Sequence, residues 1–128
     1  MAETVKLSKL EYRLMQVLWS QGASSVRAIQ QALPEKRRPA YTTVQTTIFR
    51  MESKGIVERA GQAGAAYLFA PRITREKAQR ALIEDLLAMF GGVSQPVMAY
   101  LVDSGKLSLA DVKEAEQALQ QRKKGGKA

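Results

Sequence analysis

The chain has 128 residues, with 20 Lys and Arg against 12 Asp and Glu and no His, a formal net charge of +8. Cysteine is also absent, and the two absences together exclude zinc fingers, thiol nucleophiles, imidazole bases and disulfide frameworks. The apolar share of 45% suits one folded domain, or a small domain with an appended element, and the cationic excess points to an anionic partner, either nucleic acid or an acidic membrane surface.

The opening stretch, MAETVKLSKLEY, has no long apolar segment of the secretory kind, and no run approaches the ~20 apolar residues of a membrane span. A cytoplasmic protein with no stable membrane association is expected. Ser8 and Glu11 have capping-box spacing, and Leu7 and Tyr12 have staple spacing. They predict a first helix whose apolar stripe is Leu10, Leu14, Val17 and Leu18 and which Gly22 stops. A second helix begins near Ser24 or Ser25, carries Val26, Ile29 and Leu33 on one face, and ends at Pro34. Pro34 to Pro39 is a basic loop containing Lys36, Arg37 and Arg38.

The third helix runs from Tyr41 to Ser53, with Thr42 and Gln45 as a second capping-box pair and Gly55 just past its end. Val44, Thr47, Ile48 and Met51 share its inner face, and Thr42, Thr43, Thr46, Arg50 and Ser53 its outer face. Phe49 lies to the side of both, suited to covering the wing or the second helix or to touching a sugar-phosphate edge. Ile56 to Ala60 and Ala65 to Ala70 read as strands, joined by a turn at Gly61 to Gly64 and closed by Pro71. Thr74 then caps a helix to about Phe90, with apolar residues on too many sides for a one-faced helix. Gly91 and Gly92 break it. A short helix follows from Ser94 and Pro96, and a last one from Ser108, capped with Asp111.

Charge divides along the same lines. Residues 1–72 carry eleven basic against five acidic side chains, residues 73–121 five against seven, and Arg122 to Ala128 form a basic tail expected to be disordered. Three helices and a hairpin are the order of a winged helix-turn-helix. The expected fold is therefore mainly α with a small β-hairpin: a winged helix-turn-helix domain over 1–72, a helical dimerisation region over 73–121, and a tail over 122–128. The major groove accepts one helix. Short Thr side chains allow close approach, can bond base edges or phosphates, and can pack on a thymine methyl. Arg50 can pair with guanine or phosphate.

The candidate DNA-binding residues are thus Thr42, Thr43, Thr46 and Arg50, with Arg37 and Arg38 as phosphate clamps and Arg59 on the wing. A polar outer face is also what any surface helix shows, and the basic loop also reads as simply solvated. The apolar distal helices suggest a homodimer built on Leu82, Leu86, Phe90, Val97, Leu101, Val112 and Leu119, which would set two recognition helices on successive turns of DNA. The competing reading folds that helix back on its own N-terminal domain. The other open alternative for function is a winged-helix protein-interaction module with only non-specific DNA affinity. An enzyme is not expected. Glu84 and Asp85 are adjacent on a helix and face different ways, and Gly61 to Gly64 reads as a turn and not as a phosphate loop. No cofactor or metal site is expected.

Several strings resemble the BlaI/MecI/CopY family of bacterial repressors. They are Leu10-Glu11 through Val17-Leu18-Trp19, Val26-Arg27, Ala40-Tyr41-Thr42-Thr43-Val44, Arg50 through Val57, Tyr67 to Pro71, and Phe90-Gly91-Gly92. The resemblance reaches to about Leu119. It implies a winged helix on a palindromic operator, a dimerising C-terminal part, and repression by occluding a promoter. It also implies that the residues matching Thr43, Thr46 and Arg50 face double-stranded DNA. In the penicillinase branch it implies release by cleavage dependent on a membrane sensor metalloprotease. Three departures stand out. The cysteine motif of the copper branch is missing. The stretch matching the cleaved Asn-Phe bond reads Met98-Ala99-Tyr100-Leu101, so a cut there needs a different specificity. The wing has Ala65 where many members carry Arg, which leaves wing contacts to Arg59 or to the backbone.

Overall fold

The computed structural model describes residues 6–125. Its elements are α1 (Lys9–Gln21), α2 (Val26–Ala32), α3 (Tyr41–Ser53), β1 (Val57–Ala63), β2 (Ala66–Pro71), α4 (Arg75–Met89), α5 (Gln95–Asp103) and α6 (Leu109–Lys124). The chain divides into two compact units, with the division between Glu84 and Asp85, inside α4.

In the first unit α1 begins with the expected capping box. The Glu11 N–H donates to Ser8 Oγ (3.1 Å), and the Ser8 N–H donates to Glu11 Oε1 (2.8 Å). Gly22 ends the helix at φ +80°, a region glycine enters without a Cβ clash. In α2, Ser25 Oγ accepts from the Ala28 N–H (3.1 Å). One buried cluster gathers Leu14, Met15 and Leu18 of α1, Ile29 of α2 with Leu33 just after it, Val44, Ile48 and Met51 of α3, and Val57 and Phe69 of the hairpin. Each such side chain contributes roughly 1.5–3 kcal/mol by leaving water, so the helical and strand periods converge on one core.

The hairpin differs from the sequence reading. β1 runs on to Ala63 and pairs antiparallel with β2, Val57 opposite Pro71 and Ala63 opposite Ala66. The turn is therefore at Gly64 and Ala65, not at Gly61 to Gly64. Gly61, at φ +125°, instead lies where the register slips between Arg59 and Gln62, the signature of a bulge inside the strand. A bridge from outside the hairpin was not legible in the sequence. The Ser24 N–H donates to Phe69 O (3.0 Å), and the Phe69 N–H donates to Ser24 O (2.8 Å). This rung ties the approach to α2 onto the wing.

Trp19 holds the far edge of this unit. Its Nε1–H donates to Ile73 O (3.0 Å), its ring meets Tyr12 edge-on at 5.7 Å, and the Arg75 guanidinium lies 5.7 Å over it. Thr74 caps α4 as expected, its Oγ1 accepting from the Lys77 N–H (3.0 Å).

The second unit comprises the end of α4, α5 and α6. Ser108 and Asp111 form a complete capping box at the start of α6, and the two hydrogen bonds from Ser108 hold the Asp111 carboxyl below its ordinary value. No residue of α5 or α6 is buried. Where a disordered tail was expected, α6 continues through Arg122, Lys123 and Lys124 to Gly125. Arg and Lys are good helix formers, and cations in a last turn complement the helix dipole. Residues 126–128 of that expected tail lie outside the described residues. Among the described residues no helix is long and apolar enough to cross a membrane.

Candidate nucleic-acid interface

α3 divides its faces as its sequence does. Val44, Thr47, Ile48 and Met51 are buried, while Thr42, Thr43, Thr46, Arg50 and Ser53 are exposed. Thr47 is tolerated inside because its Oγ1–H donates to Thr43 O (2.7 Å). Leu10, Thr42, Thr43, Thr46, Thr47 and Arg50 line one shallow groove. Three exposed hydroxyls and a guanidinium are thus brought to one strip. Arg50 forms no ion pair among the described residues, which leaves its charge available to an anion.

The start of α3 corrects the expected cap. Tyr41 is the first helical residue and Ala40 the N-cap, with no side-chain hydrogen bond. Thr42 therefore lies within the first turn and does not cap it. The reason lies outside the helix: Gln30 Nε2 donates to Pro39 O (3.1 Å), so the connection is pinned to α2 and the helix starts as soon as Pro39 is passed.

The two loop arginines differ. Arg38 turns back onto α2, where its Nε and Nη2 donate to Leu33 O (3.1 and 2.8 Å) and Nη2 also to Gln31 O (3.0 Å). It satisfies carbonyls that the helix end leaves open. Arg37 is exposed at φ +67°, in the left-handed region, and forms no ion pair among the described residues.

Arg59 joins the wing to α3. Its Nε donates to Glu52 Oε2 (3.0 Å) and Nη2 to Oε1 (3.5 Å). The same guanidinium lies over the rings of Tyr67 (4.4 Å), Phe69 (5.4 Å) and Phe49 (5.7 Å). Phe49 is thereby explained: it packs on Phe69, with ring centroids 6.2 Å apart, and covers the wing.

Two further features were missed in the sequence. Glu11 is 2% exposed, and its carboxylate accepts from Lys54 Nζ at 2.9 and 3.0 Å. Burial pushes this carboxyl up, but the Ser8 N–H and the Lys54 ammonium outweigh it and hold the carboxyl below its ordinary value. The pair ties the start of α1 to the end of the outward-facing helix. The Arg27 guanidinium lies 4.9 Å over the Tyr41 ring.

Of the residues expected to dimerise, Leu82, Leu86, Phe90, Val112 and Leu119 are between 40% and 67% exposed, and Val97 and Leu101 are half-buried.

A three-helix unit carrying a hairpin wing, with a polar and cationic strip along its third helix, is the winged helix-turn-helix of transcriptional regulators. The solution structure of the DNA-binding domain of the repressor BlaI superposes with a TM-score of 0.50 at 21% identity, covering 59% of this chain and 90% of that one. The transcriptional regulator Tm0710 from Thermotoga maritima gives 0.51 at 16% identity, covering 92% and 79%. In sequence, the transcriptional regulator BlaI of Mycobacterium tuberculosis (strain H37Rv) is 32% identical over 106 residues, 80% of this chain and 76% of that protein. An uncharacterised 16.5 kDa protein of Latilactobacillus sakei is 31% identical over 123 residues, 93% and 82%. The profile described as penicillinase repressor matches residues 7–121. The chain belongs to the penicillinase repressor family, whose members are transcriptional regulators and not enzymes.

Proposed function

We propose that the protein is a homodimeric repressor that reads a palindromic operator with α3 and blocks the promoter beneath it. The observation that carries this is the strip of Thr42, Thr43, Thr46 and Arg50, exposed together on one helix whose opposite face is buried. Threonines supply short donors and acceptors for base edges, and Arg50 supplies a fork suited to guanine. Arg37 adds phosphate attraction from the neighbouring loop. Arg38 and Arg59 contribute mainly by holding that loop and the wing in place. The exposed apolar side chains of α4 to α6 supply the dimer surface. Residues 1–72 form the reading domain and 73–121 the dimerising region. Release from the operator belongs to the same reading and follows a signal passed by a sensor-dependent protease.

The test is a gel shift over the upstream region of the protein's own gene. A complex that needs the palindrome supports the reading, and equal affinity for scrambled duplex removes it. Arg50→Ala is expected to weaken operator binding by about 1–3 kcal/mol while leaving scrambled duplex nearly unchanged. If both weaken together, Arg50 touches only phosphate.

A further inference from the structure

A second cavity, of about 360 Å³, lies between α2, α3 and the wing, and Arg27, Tyr41, Gln45, Phe49, Ala65 and Tyr67 form much of its lining. Tyr41, Gln45 and Phe49 are spaced four apart along α3, as are Thr42, Thr46 and Arg50. The two stripes therefore run side by side, about 100° apart around the helix. A helix with side chains is ~10–12 Å across and the major groove about 12 Å wide. With the outer stripe towards base edges, the neighbouring stripe meets a wall of the groove, and that wall is a sugar-phosphate strand.

The cavity has the chemistry for such a strand. The rings of Tyr41, Phe49 and Tyr67 offer apolar surface to a deoxyribose. Arg27 is exposed, stacks on Tyr41 at 4.9 Å, and forms no ion pair among the described residues. Arg59, the nearby cation of the wing, is already paired with Glu52. The wing lines the cavity with Ala65, Ala66, Tyr67 and Phe69, and its nearest cation is the Arg59 already engaged by Glu52.

We infer that this seam is a second DNA contact: it docks one backbone strand of the duplex, with Arg27 on a phosphate and Tyr41 and Tyr67 against the adjoining sugar. The inference rests on the DNA reading of α3 proposed above. It assigns the phosphate contact that a wing arginine would otherwise make to α2.

The experiment uses the full chain, its Arg27→Gln and Arg27→Lys variants, and two duplexes, the gene's own upstream region and a scrambled one. Arg27→Gln is expected to weaken both duplexes by the same factor, about threefold to tenfold. It should also make the slope of log K against log salt shallower by about 0.9 per protomer. Arg27→Lys, which keeps the charge, should retain the native slope. Ethylation of one phosphate per half-site should impair the native chain and not Arg27→Gln. A native slope and native ethylation pattern in Arg27→Gln overturn the seam contact, and the α3 reading survives if the native chain still prefers its operator. If the native chain shows no such preference, the α3 reading falls, and the slope on scrambled duplex still decides the seam.

Discussion

Glu11 is the residue at which burial and pairing compete most directly. Its carboxylate is out of water, yet it stays charged because Lys54 and the Ser8 N–H both favour the ionised form. A carboxyl held below its ordinary value of 4.5 stabilises the fold fully above that pH, and the contribution disappears as pH falls through the lowered value. Glu11→Gln should therefore be less stable than the native chain near neutral pH, by about 1–2 kcal/mol, because hydrogen bonds to a charged group are lost while Lys54 remains partly solvated. The gap should narrow as the pH drops below 4.5, since the native carboxyl then takes up its proton. Urea titrations followed by the fluorescence of Trp19, the chain's one tryptophan, measure this at each pH. A gap that stays constant with pH would show that the charge on Glu11 does not matter. Arg59 presents the opposite case. Half-exposed ion pairs are worth little alone, but this guanidinium also covers three rings. Arg59→Ala is expected to cost about 1–2 kcal/mol and to speed hydrogen exchange in β1 and β2 ahead of the helices.

At the scale of elements, α3 shows how much of this site was legible. Its buried and exposed faces follow from the 3.6-residue period of Val44, Ile48 and Met51, so the strip of threonines could be read directly. Its first residue could not. Thr42 and Gln45 have the spacing of a cap, but the Gln30 bond to Pro39 O, between residues nine apart, starts the helix earlier. Long-range ties of this kind leave no periodic trace. The same holds for Glu11 with Lys54, for Arg59 with Glu52 and the rings, and for the Ser24–Phe69 rung. The hairpin turn was misplaced because two glycines competed for it, and only strand pairing decides which one turns and which one bulges. The uncapped start of α3 makes its own prediction. Ala40 is exposed and extended at the N-cap, where serine supplies the acceptor that alanine lacks. Ala40→Ser should stabilise the winged unit by about 0.5–1 kcal/mol, raising its thermal midpoint by a few degrees. An unchanged midpoint would mean that water already satisfies those N–H groups equally well.

For the whole molecule, the decisive feature is the contrast between a unit with a closed core and helices without one. The winged unit buries its apolar side chains around Phe69 and Leu14, whereas α5 and α6 bury none. In the second unit, Leu86 on α4 and Phe90 just past its end fall four residues apart and form one exposed stripe. Solvated apolar stripes of this kind are costly, and a second copy of the chain would remove them from water on both sides of a two-fold axis. An acidic residue in the middle of such a surface would be buried without a partner, at a cost of several kcal/mol. Leu86→Asp should therefore shift the protein from dimer to monomer in sedimentation equilibrium at micromolar concentration. Its Trp19 environment should stay native, because Trp19 is anchored to Ile73 and Tyr12 inside the winged unit. Operator binding should weaken far more than binding to a single half-site, since a dimer gains affinity by presenting its second reading helix at high effective concentration. If Leu86→Asp remains dimeric, the α4 stripe is not the dimer surface. If the native chain is already monomeric, the two-fold reading of the operator must be abandoned with it.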